Sequence, residues 1–132
     1  SPIPNLSKWL NNNGLSVDEC DNEALRSMAA YYLINAKSRN NLPYDPVARF
    51  HLGNGAIVHD VHADADTSPR GQAQSAGVMV NYLYDLNKVE QNHEEFMNTK
   101  NVLSSQAIKE LANAFSIPED NGLEIVATSS SG

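Results

Sequence analysis

Four groups of side chains in this sequence could do chemistry. His51 lies in Asp45-Pro46-Val47-Ala48-Arg49-Phe50-His51-Leu52-Gly53-Asn54-Gly55-Ala56, and His59, His62, Asp64 and Asp66 follow closely. Ser1 stands before Pro2-Ile3-Pro4, and Tyr82 and Tyr84 form a spaced pair. An imidazole titrates near neutral pH, so His51 at the floor of a cleft suits proton transfer. On the solvated face of a sheet the same histidine needs no role, and the strand pattern alone leaves both readings open. His59 and His62 are metal-ligand types, but on a strand they point to opposite faces and converge only if the strand ends between them. Asp64 and Asp66 lack the Gly-x5-Glu continuation of a calcium loop, so the default is a solvated acidic loop without metal. Ser1 is by type a loop serine; with a free α-amine it could be an N-terminal nucleophile or a pyruvoyl precursor. Tyr82 and Tyr84 read as a packing face with one hydroxyl able to reach a site.

Positioning these groups falls to a change of period at Val47. From there Val47, Arg49 and His51 alternate with Ala48, Phe50 and Leu52, which predicts a strand over 47–52. Gly53-Asn54-Gly55 supplies positive-φ residues for a hairpin turn into a second strand over about 56–62. A loop rich in Asp, Ser, Pro and Gly covers 62–76, and a third strand covers 78–84, with a helix over 78–86 as the alternative. Upstream, Leu6, Trp9 and Leu10 share one face of a short helix that stops at Asn11-Asn12-Asn13-Gly14. Ser16-Val17-Asp18-Glu19 has the form of a capping box for a helix over 17–37, striped by Leu25, Met28, Ala29, Tyr32 and Ala36. Downstream, 90–100 reads as a polar loop with some helix. Ile108, Leu111, Ala112 and Phe115 mark a helix capped by Ser104 or Ser105. The class is α+β: an antiparallel hairpin plus a third strand packed with helices, in one unit over 1–117 with a flexible tail over 118–132.

Composition bounds the partners. The chain has 132 residues, 41% hydrophobic and 19% charged, which suits a single soluble globular domain. A net charge of -7 argues against nucleic acid and against an anionic membrane surface, because both demand clustered Lys and Arg. No apolar run approaches the roughly 18 residues of a membrane span. One cysteine, Cys20, excludes a disulfide framework and a Cys-based zinc site. With no visible secretory leader, a cytoplasmic setting is expected, or the mitochondrial matrix in a eukaryote.

Beyond these readings, Asp45 to Ala56, Ser68-Pro69-Arg70-Gly71 and Ser75-Ala76-Gly77-Val78-Met79-Val80-Asn81-Tyr82-Leu83-Tyr84 closely resemble the C-terminal catalytic domain of malonyl-CoA decarboxylases. Ser1-Pro2-Ile3-Pro4, with Leu6, Lys8, Trp9 and Leu10 behind it, resembles a second stretch of the same family. The resemblance covers 1–10 and about 24–97 well, and 98–132 loosely. It implies the last portion of a GNAT-like acyltransferase fold and conversion of malonyl-CoA to acetyl-CoA and CO2, without metal or organic cofactor. It also implies catalytic roles for Ser1 and His51, and a place near the site for Tyr84. The CoA-pyrophosphate cradle of such a fold belongs to an earlier part of the chain. The expected partners are therefore malonyl-CoA, acetyl-CoA and a missing N-terminal half or other chains, in an oligomer. The alternative is a non-catalytic decarboxylase-like subunit that serves as an interaction module in a larger complex.

Overall fold

The computed structural model describes residues 1–16, 20–65 and 67–115, in which helices enclose one small sheet. In chain order the elements are α1 (Leu6–Asn12), α2 (Asn22–Asn35), α3 (Pro46–Gly53), β1 (Ile57–His62), α4 (Pro69–Ser75), β2 (Met79–Leu83), α5 (Val89–Thr99) and α6 (Gln106–Asn113). The α+β class therefore holds. β1 and β2 pair antiparallel, and short backbone bridges extend the sheet on both sides. Pro2 bridges Met79 beside β2, and Ser104 bridges Val58 beside β1.

The first arm of the expected hairpin is a helix. Pro46 occupies its first turn, where a missing N–H costs nothing, and the Asp45 side chain accepts the Ala48 N–H at 2.9 Å. Ala48 and Leu52, four apart, are fully buried, whereas Phe50, expected on the buried face of a strand, is 64% exposed. Gly53-Asn54-Gly55 ends that helix instead of turning a hairpin. The Ala56 N–H reaches the His51 carbonyl at 3.0 Å and the Gly55 N–H reaches Leu52 at 3.0 Å, with Gly55 at φ +92°. This is the Schellman closure, which uses a positive-φ glycine as a hairpin turn does.

Other boundaries moved for local reasons. Helix α2 starts at Asn22, capped by the Asp21 side chain on the Ala24 N–H, rather than at 17; the expected capping box falls largely on residues outside those described. Within the expected 62–76 loop, Ser68 caps α4 and Pro69 opens it. The polar 90–100 stretch is nearly all helix, and in α5 only Phe96 is buried. Ser105 caps α6 by accepting the Ile108 N–H, as its sequence anticipates. The 118–132 tail lies outside the described residues.

The core lies where the sheet meets α2, α3 and α6. Val58, Val61 and Val80 from the sheet pack with Leu25, Met28 and Leu33 of α2, Leu52 of α3 and Ile108 of α6. A bulge at His59 lets Val58 and Val61, three apart, both face this core. The same bulge leaves both His59 and His62 exposed, so the opposite-face geometry expected for them does not hold. His62 Nε2 lies 3.0 Å from Asn81 Nδ2 and 3.7 Å from Asp60 Oδ2. Among the described residues no three His, Cys, Asp or Glu side chains gather as a metal group, and no helix is long and apolar enough to cross a membrane.

Candidate functional site

His51 sits in the last turn of α3, and its backbone carbonyl is held by the Schellman closure. Two polar side chains of α5 secure the same helix end. His93 donates Nδ1–H to the Gly53 carbonyl at 2.6 Å, and Asn92 donates to the Gly55 carbonyl at 3.3 Å. The backbone that carries the imidazole is therefore pinned by a second helix. Sequence reading assigned nothing to Asn92 or His93; donors that cap another element's carbonyls leave no periodic signal.

The imidazole itself meets β2 and the residue just past it. Its Nδ1 lies 2.6 Å from the Tyr84 hydroxyl, and its ring stacks on Tyr82 with centroids 4.2 Å apart and planes 20° apart. Tyr82 and Tyr84 project to the same face because they are two residues apart on an extended chain. Burial is the larger cause that lowers the His51 pKa below 6.5, and the nearby Ser1 ammonium is the smaller. The C-terminal end of a helix favours a charged imidazole, so here desolvation outweighs that dipole. His51 is accordingly neutral at pH 7, with one ring nitrogen free to accept and the other to donate.

Ser1 reaches this corner through its backbone. Its nitrogen donates to the Val80 carbonyl at 2.8 Å and its carbonyl accepts the Val80 N–H at 2.7 Å. The buried Ile3 N–H donates to Ser75 Oγ at 3.2 Å, which fixes the segment against the end of α4. Among the described residues, His51 is hydrogen-bonded to Tyr84 and not to the Ser1 hydroxyl. So the structure joins His51 and Tyr84 directly, and sets Ser1 beside β2, two residues from the register of Tyr82.

A rigidly held neutral imidazole with a phenol on one nitrogen and a serine nearby can donate to a developing oxyanion or deliver a proton to carbon. The chain matches the family described as malonyl-CoA decarboxylase C-terminal domain over residues 2–121. Malonyl-CoA decarboxylase, mitochondrial, of Anser anser anser is 36% identical over 119 residues, covering 87% of this chain and 23% of that protein. The Rattus norvegicus protein of the same name is 37% identical over 91 residues, covering 69% of this chain and 18% of that one. Among solved structures, malonyl-CoA decarboxylase from Rhodopseudomonas palustris superposes with a TM-score of 0.76 at 34% identity, over 84% of this chain and 32% of that one. The Agrobacterium vitis structure gives 0.76 at 32% identity, over 85% of this chain and 34% of that one. This chain thus spans about a fifth of the curated relatives and a third of the solved ones.

Proposed function

Because the chain belongs to the malonyl-CoA decarboxylase family through its C-terminal domain, we propose that it carries the proton-handling part of an enzyme that converts malonyl-CoA to acetyl-CoA and CO2. The observation that carries this reading is the His51–Tyr84 pair, 2.6 Å apart and stacked on Tyr82 beside the Ser1 strand. In the reaction the bond between the malonyl α-carbon and its carboxylate breaks. The electron pair stays on carbon, giving CO2 and a thioester enolate, which takes one proton at the α-carbon to become acetyl-CoA. With the Tyr84 hydroxyl donating to Nδ1, the imidazole proton sits on Nε2; as it passes to the enolate α-carbon the Tyr84 proton moves to Nδ1, so the imidazole stays neutral. The Ser1 hydroxyl orients the departing carboxylate, and solvent restores the proton consumed. No metal or organic cofactor enters this scheme.

The rest of such a protein supplies the CoA cradle and the neighbours of the exposed apolar residues Phe50, Leu83 and Leu86 around this corner. Its setting is the cytoplasm or the mitochondrial matrix. A CO2-release assay on malonyl-CoA tests the reading. The full-length protein that carries this sequence is expected to be active, and the isolated 132 residues inactive and associated at high concentration by light scattering. A full-length protein that releases no CO2 would overturn the enzymatic reading and leave the interaction subunit.

The pH profile follows from His51. Protonation fills Nδ1, so the imidazole can no longer accept from Tyr84. Because the folded pKa is lowered, kcat/KM is expected to hold down to pH 6.5 and to fall only as pH drops through the lowered value. His51 also contributes stability that is present above the unfolded pKa and lost on the same descent, since the unfolded chain protonates first. Where the Ser1 nitrogen is an amide of a longer chain, its charge drops out and burial alone sets the direction. Tyr84→Phe is expected to lower kcat roughly 10-fold by freeing the imidazole tautomer. An acidic limb centred above 6.5 would count against a half-buried neutral His51 as the acting group.

A further inference from the structure

Beside His51 lies a buried polar cluster that the chemistry above does not use. Asp45 is 1% exposed, and one carboxylate oxygen caps α3 through the Ala48 N–H. Its other oxygen, Oδ1, is shut off from solvent, as are Tyr32 Oη, Tyr82 Oη and Arg49 Nε; among the described residues none of the four has a hydrogen-bond partner. They are neighbours in the field as well as in burial. Desolvation and then the Asp45 charge raise the pKa of both Tyr32 and Tyr82, while burial pushes the Asp45 carboxyl up against the opposing pull of the Ala48 N–H and Arg49. A buried polar group without a direct partner is destabilising, so four such groups around one end of α3 call for an explanation.

The cluster touches the candidate site through one ring. Tyr82 brings its hydroxyl into the cluster and its π-face against the His51 imidazole. β2 prevents that ring from drifting, because Tyr82 is paired with Val58 across the sheet. Asp45 meanwhile caps the start of the helix whose last turn carries His51. The Asp45 carboxylate thus secures the start of the helix that bears the imidazole, and the sheet secures the ring stacked on it.

We propose that Tyr82 is a positioning residue for His51, its ring, fixed by the sheet, setting the imidazole plane by stacking while the Asp45 side chain caps the helix that carries the imidazole. This rests on the reading of His51 as the acid–base group. The consequence is that Nδ1 meets Tyr84 and Nε2 faces the substrate without the imidazole searching rotamers. A ring shift of about 1 Å at a reacting group can cost up to ~10²-fold in rate.

The test uses the full-length protein with three variants, read by kcat and KM for malonyl-CoA and by NMR titration of the isotope-labelled His51 ring. Tyr82→Leu removes the stack. It is expected to lower kcat about 10-fold with KM within about 2-fold, and to move the His51 titration up toward the ordinary imidazole value. Tyr82→Phe keeps the stack and is expected to recover most of that loss. Tyr82→Phe and Asp45→Asn keep ring and cap, so both fold even if Tyr82→Leu does not. Both are expected to keep kcat within a few-fold of the unmodified protein and to leave the His51 titration near its unmodified position. A Tyr82→Phe loss as large as that of Tyr82→Leu would overturn the stacking role. An unchanged His51 titration in Tyr82→Leu would overturn the positioning role, and should that variant not fold, so would His51 ring protons in Tyr82→Phe that lack the upfield shift of a stacked ring. The NMR reading stands apart from turnover: full activity in His51→Ala would remove the acid–base reading while the titration still reports whether Tyr82 holds the ring.

Discussion

His51→Ala in the full-length protein is expected to lower malonyl-CoA turnover by roughly 10²-fold or more, the magnitude typical of losing a positioned acid–base group. Ser1→Ala is expected to fall in the same range. Neither change should reduce the folded fraction appreciably. The Ser1 segment is held by backbone bonds to Val80, which alanine keeps. His51 is half-buried and packs on Tyr82 at the edge of the core rather than within it. Circular dichroism of the variants beside the CO2-release assay separates chemistry from folding. Turnover at the unmodified rate in either variant removes that residue from the site.

The second large effect is on stability. Gly55→Ala is expected to destabilise the fold by about 2–5 kcal/mol, summing a left-handed backbone penalty of ~1–2 and an overpacking penalty of ~1–3. Gly55 has φ +92°, and a Cβ there would collide with the Val89 carbonyl oxygen and stand 2.9 Å from its carbonyl carbon. Backbone cannot swing aside as a side chain can, so the start of α5 must move. That movement would loosen the Asn92 and His93 bonds to the end of α3, and His51 with it. Gly53 is the internal control: it has no atom within 4 Å of a built Cβ and no positive φ, and it lies in the helix. Gly53→Ala is therefore expected to be neutral or stabilising by up to about 1 kcal/mol. Guanidinium unfolding of the two variants checks both signs, and a Gly55→Ala midpoint equal to that of Gly53→Ala would sink the argument.

How much of this was legible beforehand depends on which signal each segment carries. Helix α6 announced itself with a capping serine and an apolar stripe, and β2 with its alternation. The stretch 47–52 satisfies two periods at once, because Ala48 and Leu52 are four apart and also share a face at period two. Six residues cannot separate those periods. Asp45-Pro46 could have done so, as a cap followed by proline at the first helical position, and Ser68-Pro69 carries the same signature for α4. The Asn54-Gly55 dipeptide misled for a physical reason: hairpins and helix ends both demand a residue at positive φ. For α5 only Phe96 is buried, so no apolar stripe existed to read. As for the site, the motifs named Ser1, His51 and Tyr84, whereas the contact between His51 and Tyr84 spans 33 residues and rests on a helix packing against a strand. The stack on Tyr82 is likewise a product of packing, which no local pattern encodes.

The paired bonds between Ser1 and Val80 join residues 79 apart. On a translating ribosome that separation becomes a delay. At about 5–20 residues per second, roughly 4–16 seconds pass between synthesis of the serine and synthesis of the strand that receives it. Throughout that interval Ile3, Leu6 and Leu10, all fully buried in the finished fold, have no sheet to cover them. The serine corner is thus born open and closes late, so trigger-type holdases and synonymous changes in elongation rate between these two points have a defined window in which to act on it.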